Sequence, residues 1–376
     1  MEYVKLEEIC TIVSGGTPSR SKPNYWNNGN IPWIKIKDMK SKYIDSAEEF
    51  ITEEGLNNSS TKMLKSDTIL YSIFATLGEV GILKIDACTN QAIAGVSLKE
   101  NSNILKEYLY YYLKSKKKDV NNLGRGVAQN NINLSLLRKF KIPVMPLHQQ
   151  KKIIEVLDIV SSTINNYERE LTLLDELVKA RFVEMFGDPV SNSKCLPVKK
   201  MNDVAPVCQY NGLFEENVWL LNLDMVESQS GRIISHNIVA IDEVGGSVCT
   251  FDENNILYSK LRPYLNKVVI PDGKGYSTSE LVPLRPDNKI INRIYLAYLL
   301  RSNEFVEMIK EKVAGAKMPR VSMSDFKEFN VPIPPLELQN QFASFVQEID
   351  KSRSRIQKSL EASQELFDSL MQEYFG

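Results

Sequence analysis

The chain has 376 residues, is 43% hydrophobic and 25% charged, and carries a net charge of −1; it is long enough for two or three domains of ordinary globular composition. No apolar run approaches the ~20 residues of a membrane span, and the opening MEYVKLEEIC lacks the basic start and apolar stretch of a secretory signal, so a cytoplasmic location is expected. Five widely spaced cysteines with no C-x-x-C, and two isolated histidines, His148 and His236, argue against a disulfide framework, a zinc site or a histidine dyad.

From the N-terminus, Ser14-Gly15-Gly16-Thr17-Pro18 and Asn27-Asn28-Gly29-Asn30 read as turns around a strand-like run, Ile31 to Ile36. A second strand-like run spans Thr68 to Ile73, and 104–118 reads as a helix. Pro143 and Pro146 precede 40 residues without proline or glycine, which Gly187-Asp188-Pro189 ends; these are helix start and stop signals. Inside that run Leu157, Val160, Ile164, Tyr167, Leu171, Leu174 and Val178 alternate spacings of three and four, a heptad seam. Next come a strand-like Lys267 to Ile270, the turn Pro271-Asp272-Gly273-Lys274-Gly275, and a predicted helix over 291–313. From 336 a second long helix carries Val346, Ile349, Arg353, Ile356, Leu360, Ser363, Phe367, Leu370 and Tyr374 in the same register, with Arg353 and Ser363 weakening its seam. Each helix is expected to reach roughly 60 Å, at about 1.5 Å per residue. A seam of that length is best covered by the other helix, packed antiparallel. Strands and helices do not alternate regularly, so the class is α+β.

The chain is duplicated. Residues 126–187 align without a gap on 315–376, with 13 identities in 62 pairs, against roughly four by chance at background frequencies. Gly126, Ser135, Phe140, Pro143, Pro146, Leu147 and Gln150 return as Gly315, Ser324, Phe329, Pro332, Pro335, Leu336 and Gln339. Upstream, Trp33, Asp38 and Met39 match Trp219, Asp224 and Met225, and Ile69-Leu70-Tyr71-Ser72 matches Ile256-Leu257-Tyr258-Ser259, with offsets shifting by a few residues as loop lengths change. A period near half the chain means two large modules. The resulting division is 1–146 and 188–335 for the globular modules, with 147–187 and 336–376 as the helices.

Catalytic motifs are missing: no G-K-[ST] phosphate loop, no G-x-S-x-G elbow and no dinucleotide fingerprint. One loose match, Pro271-Asp272 with Asp287-Asn288-Lys289, leaves a Mg²⁺-dependent DNA nuclease as an alternative, in which the acids hold the ion and the lysine supports a water. Charge is unevenly placed: Lys35, Lys37, Lys40 and Lys42, then Lys114 to Lys118, and Lys260, Arg262 and Lys267 form basic clusters.

The chain resembles the specificity subunit of type I restriction–modification systems over nearly its whole length. The resemblance rests on V-K-L-E-E-I with S-G-G-T-P-S, on Y-W…I-P-W-I-K-I-K-D-M, on I-P-V-M-P-L-H-Q-Q-K-K-I with a helix ending E-M-F-G-D-P, and on the second copy V-P-I-P-P-L-E-L-Q. It implies two target-recognition domains, each reading one half of a split double-stranded DNA target. It also implies that the paired helices act as spacer and docking surface for two methyltransferase subunits. S-adenosylmethionine, Mg²⁺ and ATP would belong to those and to restriction (motor–nuclease) subunits, and this chain would hold no cofactor and be no enzyme. A protein-binding scaffold is the other alternative.

On that reading phosphates meet the basic clusters, and Arg, Asn and Gln side chains pair with guanine or adenine edges. The DNA-contact candidates are Ser19, Arg20, Lys22, Lys35, Lys37, Asn90, Gln91, Arg125, Gln129 and Asn130 in the first module. In the second they are Lys260, Arg262, Tyr264, Thr278, Ser279, Lys317 and Arg320.

Overall fold

The structure is a computed structural model that describes every residue except Met1, 125–131 and 315–317. It contains two compact units, residues 1–168 together with Lys358–Gly376, and Arg169–Gln357. The two long helices span Leu147–Phe186 and Leu336–Phe375, so each unit takes about half of each helix.

The helix starts follow from local chemistry. Pro146 and Pro335 supply carbonyls that accept the N–H groups of Gln149 and Gln150 (2.9 and 3.1 Å) and of Leu338 and Gln339 (3.0 and 3.2 Å). At the far end of the first helix Gly187 adopts φ +72°, a left-handed stop that glycine meets without strain. Every position of the two sequence-derived seams, Leu157 through Val178 and Val346 through Tyr374, is buried or half-buried.

In the second unit the end of the first helix meets the start of the second. Phe182 and Phe186 pack edge-on against Phe342, both at 5.5 Å, and Asp175 pairs with Arg353 at 2.5 Å. In the first unit Ile153 and Leu157 share one core with Met371 and Phe375. The packing is therefore antiparallel in both. Arg353 sits in the seam not as a defect but as the partner of Asp175, and its side chain is 15% exposed.

The first unit holds a five-stranded sheet in the order Cys10–Ser14, Ile93–Leu98, Ile69–Ser72, Val80–Leu83, Tyr43–Ile44. Beside it lies a three-stranded sheet of Glu49–Ile51, Ile31–Ile34 and Cys88–Thr89. Glu2–Lys5 pairs with Lys141–Val144. The second unit repeats the scheme with Val268–Val269, Ile256–Ser259 and Leu281–Leu284, with a four-stranded sheet built on Asn217–Leu221 and Gly275–Thr278, and with Val198–Lys200 against Asn330–Pro332. In both, the tryptophan strand pairs parallel with the later short strand, Trp33 opposite Cys88 and Trp219 opposite Gly275. The α+β class is thus a mixed-sheet, duplicated one.

Two predicted helices are each broken. Lys106–Ser115 is followed by Lys117–Gly124, and Arg293–Arg301 by Asn303–Lys310. Ser302 is extended (ψ 145°) and its hydroxyl accepts the Phe305 N–H at 3.3 Å, so an N-cap interrupts the periodic run. The strand-like runs are shorter than predicted, Ile31–Ile34 and Val268–Val269.

The repeated residues explain themselves in the interior. Gln150 and Gln339 are fully buried. Gln150 accepts the N–H of Leu105 (2.8 Å) and donates to the carbonyls of Asn103 (2.7 Å) and Met145 (2.8 Å). Gln339 accepts from Asn292 (2.7 Å) and donates to Ile290 (3.2 Å) and Pro334 (2.8 Å). Leu105 and Asn292 are the N-cap residues of the tyrosine-rich helices, so each glutamine satisfies a helix-start N–H and ties it to the long helix. Tyr108 and Tyr295 donate to the carbonyls of Pro143 (3.1 Å) and Pro332 (2.9 Å). Phe375 packs on Tyr108 at 5.1 Å, and Phe186 on Tyr295 at 4.7 Å.

Candidate nucleic-acid interface

In the first unit the candidates converge around the three-stranded sheet. Arg20 lies over the Trp26 ring at 3.6 Å and the Trp33 ring at 4.9 Å, and its guanidinium also bonds Glu49 at 2.5 Å. Lys35 pairs with the other oxygen of Glu49, and Lys37 with Glu48. Burial works to raise the Glu49 pKa, but the hydrogen bonds from Lys35 and Arg20 outweigh it and hold the carboxylate below its ordinary range. Lys22 donates to the Tyr25 hydroxyl at 2.9 Å, which raises the lysine pKa. Ser19 shares a 2.8 Å contact with Ser21, and its carbonyl accepts the Trp26 indole N–H at 3.1 Å. The Gln91 side chain accepts from Thr17, while the Asn90 side chain accepts the Ala92 N–H at 3.1 Å.

The glycines of S-G-G-T-P-S are structural rather than ligand-binding. A Cβ on Gly15 would stand 2.2 Å from the Asn90 carbonyl oxygen, and one on Gly16 2.5 Å from the Thr61 nitrogen. Backbone must pack on backbone to bring Thr17 through Arg20 beside Asn90 and Gln91.

In the second unit the candidates gather at the turn after Ile256–Ser259. The Lys260 N–H bonds the Glu280 carbonyl (3.0 Å), the Arg262 N–H the Pro319 carbonyl (2.8 Å), and the Ser279 N–H the Ser247 carbonyl (3.1 Å). Arg320 grips Glu280 through Nη2 at 2.9 Å and Nε at 3.2 Å, which raises the arginine pKa. The Thr278 hydroxyl accepts the Glu280 N–H at 3.5 Å, and Tyr264 is 41% exposed. Lys260 and Arg262 have no acidic partner among the described residues. Arg125, Gln129, Asn130 and Lys317 lie outside the described residues.

Each unit has an equivalent rim of its own. In the first unit Ile73 donates to the Ala92 carbonyl (2.8 Å), and Ile132 donates to that of Ile73 (2.9 Å). In the second, Lys260 donates to Glu280 (3.0 Å), and Val321 to Lys260 (2.9 Å). Three segments are thus joined the same way in each unit, and they carry Asn90 and Gln91 in one and Thr278 and Ser279 in the other. Sequence reasoning missed three parts of this rim: the acids Glu49 and Glu280, which hold arginines in place; Trp26, on which Arg20 stacks; and the first unit's turn 73–76. The repeated Tyr-Ser pair at 71–72 and 258–259 was the available signal for that turn.

Lysines of the other basic clusters have partners within their own unit. Lys116 donates to the Phe375 carbonyl (3.0 Å), Lys117 pairs with Glu79 (2.6 Å) and Lys118 with Asp368 (2.5 Å). Burial lowers the Lys114 pKa beside the Tyr110 and Phe367 rings. Lys42 pairs with Asp158, and Lys267 donates to the Leu223 carbonyl at 2.6 Å. Of these, Lys42 and Lys116 are largely covered, whereas Lys118 keeps its side chain 77% exposed. Asp287 accepts the Lys289 N–H at 3.0 Å as a turn, and among the described residues no group of three or more His, Cys, Asp or Glu is placed to hold a metal ion. Cys10 is buried, which pushes its thiol up to about 12. No helix among the described residues is long and apolar enough to cross a membrane.

Two repeated modules joined to two long helices are the class this architecture defines, and comparison with known proteins gives the family. The profile of the type I restriction modification DNA specificity domain matches residues 1–175 and 224–364, and the chain belongs to that family. The EcoR124I/EcoR124II specificity subunit of Escherichia coli is 35% identical over 183 residues, 46% of this chain and 45% of that one, so this alignment spans about half of either. Two Methanocaldococcus jannaschii specificity subunits align more fully. MjaVIII is 31% identical over 95% of this chain and 89% of its own, and MjaIX 24% identical over 98% and 90%. Among solved structures, the S subunit from M. genitalium has a TM-score of 0.56 at 15% identity, covering 100% of this chain and 96% of that one. A chain from a study of type I system assembly and conformational transition scores 0.60 at 15% identity, covering 100% and 97%. The structural likeness concerns the fold. The nuclease alternative finds no support in any of these relatives.

Proposed function

We propose that this chain is the non-catalytic DNA sequence-recognition subunit of a type I restriction–modification complex, with 1–146 reading one half of a split duplex target and 188–335 the other. The observation that carries this reading is the duplicated rim, in a chain of the DNA specificity family. The backbone joints are the same twice, but the side chains on them differ, as two different half-sites require. The long helices act as spacer and as the docking surface for two methyltransferase subunits. One added helical turn lengthens a helix by ~5.4 Å, roughly one and a half base-pair steps. S-adenosylmethionine belongs to the methyltransferase subunits, Mg²⁺ and ATP to the restriction subunits, and the complex works in the cytoplasm.

Salt titration of duplex binding by the assembled complex tests this. A log–log slope of about −4 or steeper is expected from phosphate contacts, whereas a slope near zero favours a protein scaffold.

A further inference from the structure

Both units carry a turn with a left-handed non-glycine residue at the same repeat position. After Ile69–Ser72 and Ile256–Ser259 the chain reverses around a serine hydroxyl. Ser72 donates to the Thr76 carbonyl (2.5 Å) and accepts the Glu79 N–H (2.7 Å), and Ser259 donates to the Leu261 carbonyl (2.9 Å). Three residues past each serine stands a non-glycine residue in the left-handed region, Ala75 at φ +62° and Arg262 at φ +49°. Glycine would relax both, yet neither copy uses it. Strain kept in both copies points to a use for the conformation.

The turn buries its flanks and shows its tip. Ile73 and Leu77 are each 2% exposed, whereas Phe74 between them is 38% exposed. In the second unit Pro263 is buried, Arg262 is exposed, and Tyr264 is 41% exposed. The two turns therefore expose neighbouring positions: Phe74, just before the left-handed Ala75, in the first unit, and the left-handed Arg262 itself in the second. The first residue of each turn, Ile73 or Lys260, is bonded to the segment that carries Gln91 or Ser279.

Building on the DNA-recognition reading above, we propose that these turns are base-reading elements: Phe74 makes an apolar contact with a thymine methyl in one half-site, and Arg262 donates to a guanine edge in the other.

The test is methylation-site sequencing of unmodified DNA treated with the full complex carrying Phe74→Ala or Arg262→Ala. Each variant should lose about tenfold discrimination at one or two adjacent positions, Phe74→Ala in one half and Arg262→Ala in the other, with the unfolding temperature unchanged. If Phe74→Ala fails to fold, Phe74→Tyr, which keeps the ring, should alter selectivity at the same position, and unchanged selectivity overturns the proposal. A split motif in the unsubstituted complex that survives both variants at every position overturns the proposal and leaves the recognition assignment standing. No split motif from the unsubstituted complex overturns both.

Discussion

The two units solve one packing problem identically and a second one differently. Where a buried backbone group needs a partner, the solution is the same: Gln150 and Gln339 tie the long helix to a helix-start N–H, and Tyr108 and Tyr295 bond a proline carbonyl. Where a module anchors to its helices by charge, the solutions diverge. The first unit uses Asp158 with Lys42 and the Tyr111 hydroxyl, the second Asp175 with Arg232 and Arg353, each at 2.5 Å. The rims differ likewise. Arg20 and Lys35 share Glu49, whereas Glu280 pairs with Arg320 alone, and Lys260 and Arg262 have no ion pair among the described residues. The difference teaches that unsatisfied backbone in the interior leaves few alternatives, while partly exposed charge pairs are freer to change.

The largest test of that contrast is Gln339→Leu. It removes the partner of the Asn292 N–H and of two carbonyls, so denaturant unfolding should show a loss of about 2–5 kcal/mol, and Gln150→Leu should cost a similar amount. A loss below about 1 kcal/mol for either would make the repeated glutamine incidental. Asp175→Asn should cost less, ~1–3 kcal/mol, because Asp175 and Arg232 are each about 40% exposed. Replacing Arg353 by Met in that background should recover part of it, since the seam then holds no orphaned guanidinium.

The long helices were legible because proline, glycine and a three-four spacing mark them locally. The compact units were not, because they depend on Phe375 meeting Tyr108 and Phe186 meeting Tyr295, contacts that no local pattern announces. The helix predicted over 291–313 is broken because Ser302 caps a new helix within an unbroken apolar period. For the site, arginine and asparagine beside turns were legible as DNA-contact candidates by residue type. Their acidic partners Glu49 and Glu280 were not, since 29 and 40 residues separate each from the arginine it holds. The Lys114 to Lys118 run likewise has partners that its sequence does not announce: Glu79, Asp368 and the Phe375 carbonyl.

Smaller effects sharpen the comparison of the rims. Glu280→Gln frees Arg320 for the duplex, and affinity at low salt should rise roughly two- to fivefold; unchanged affinity would place Arg320 away from DNA. The smallest effect is on pH dependence. The folded-state pKa of Glu49 lies below its unfolded value, so its contribution is present above the unfolded pKa of about 4.3 and is lost as pH falls through the folded one. It should amount to less than about 1 kcal/mol. Glu49→Gln should flatten the acid limb of a stability–pH curve below about pH 4.3, and an unaltered limb would contradict the pairing with Arg20 and Lys35.

The central claim, one reading unit for each half of a split target, is tested most directly by methylation-site sequencing of complexes carrying Arg20→Ala or Arg320→Ala. The account predicts a two-part motif in which Arg20→Ala relaxes one part and Arg320→Ala the other. Relaxation of both parts by either substitution alone would contradict it.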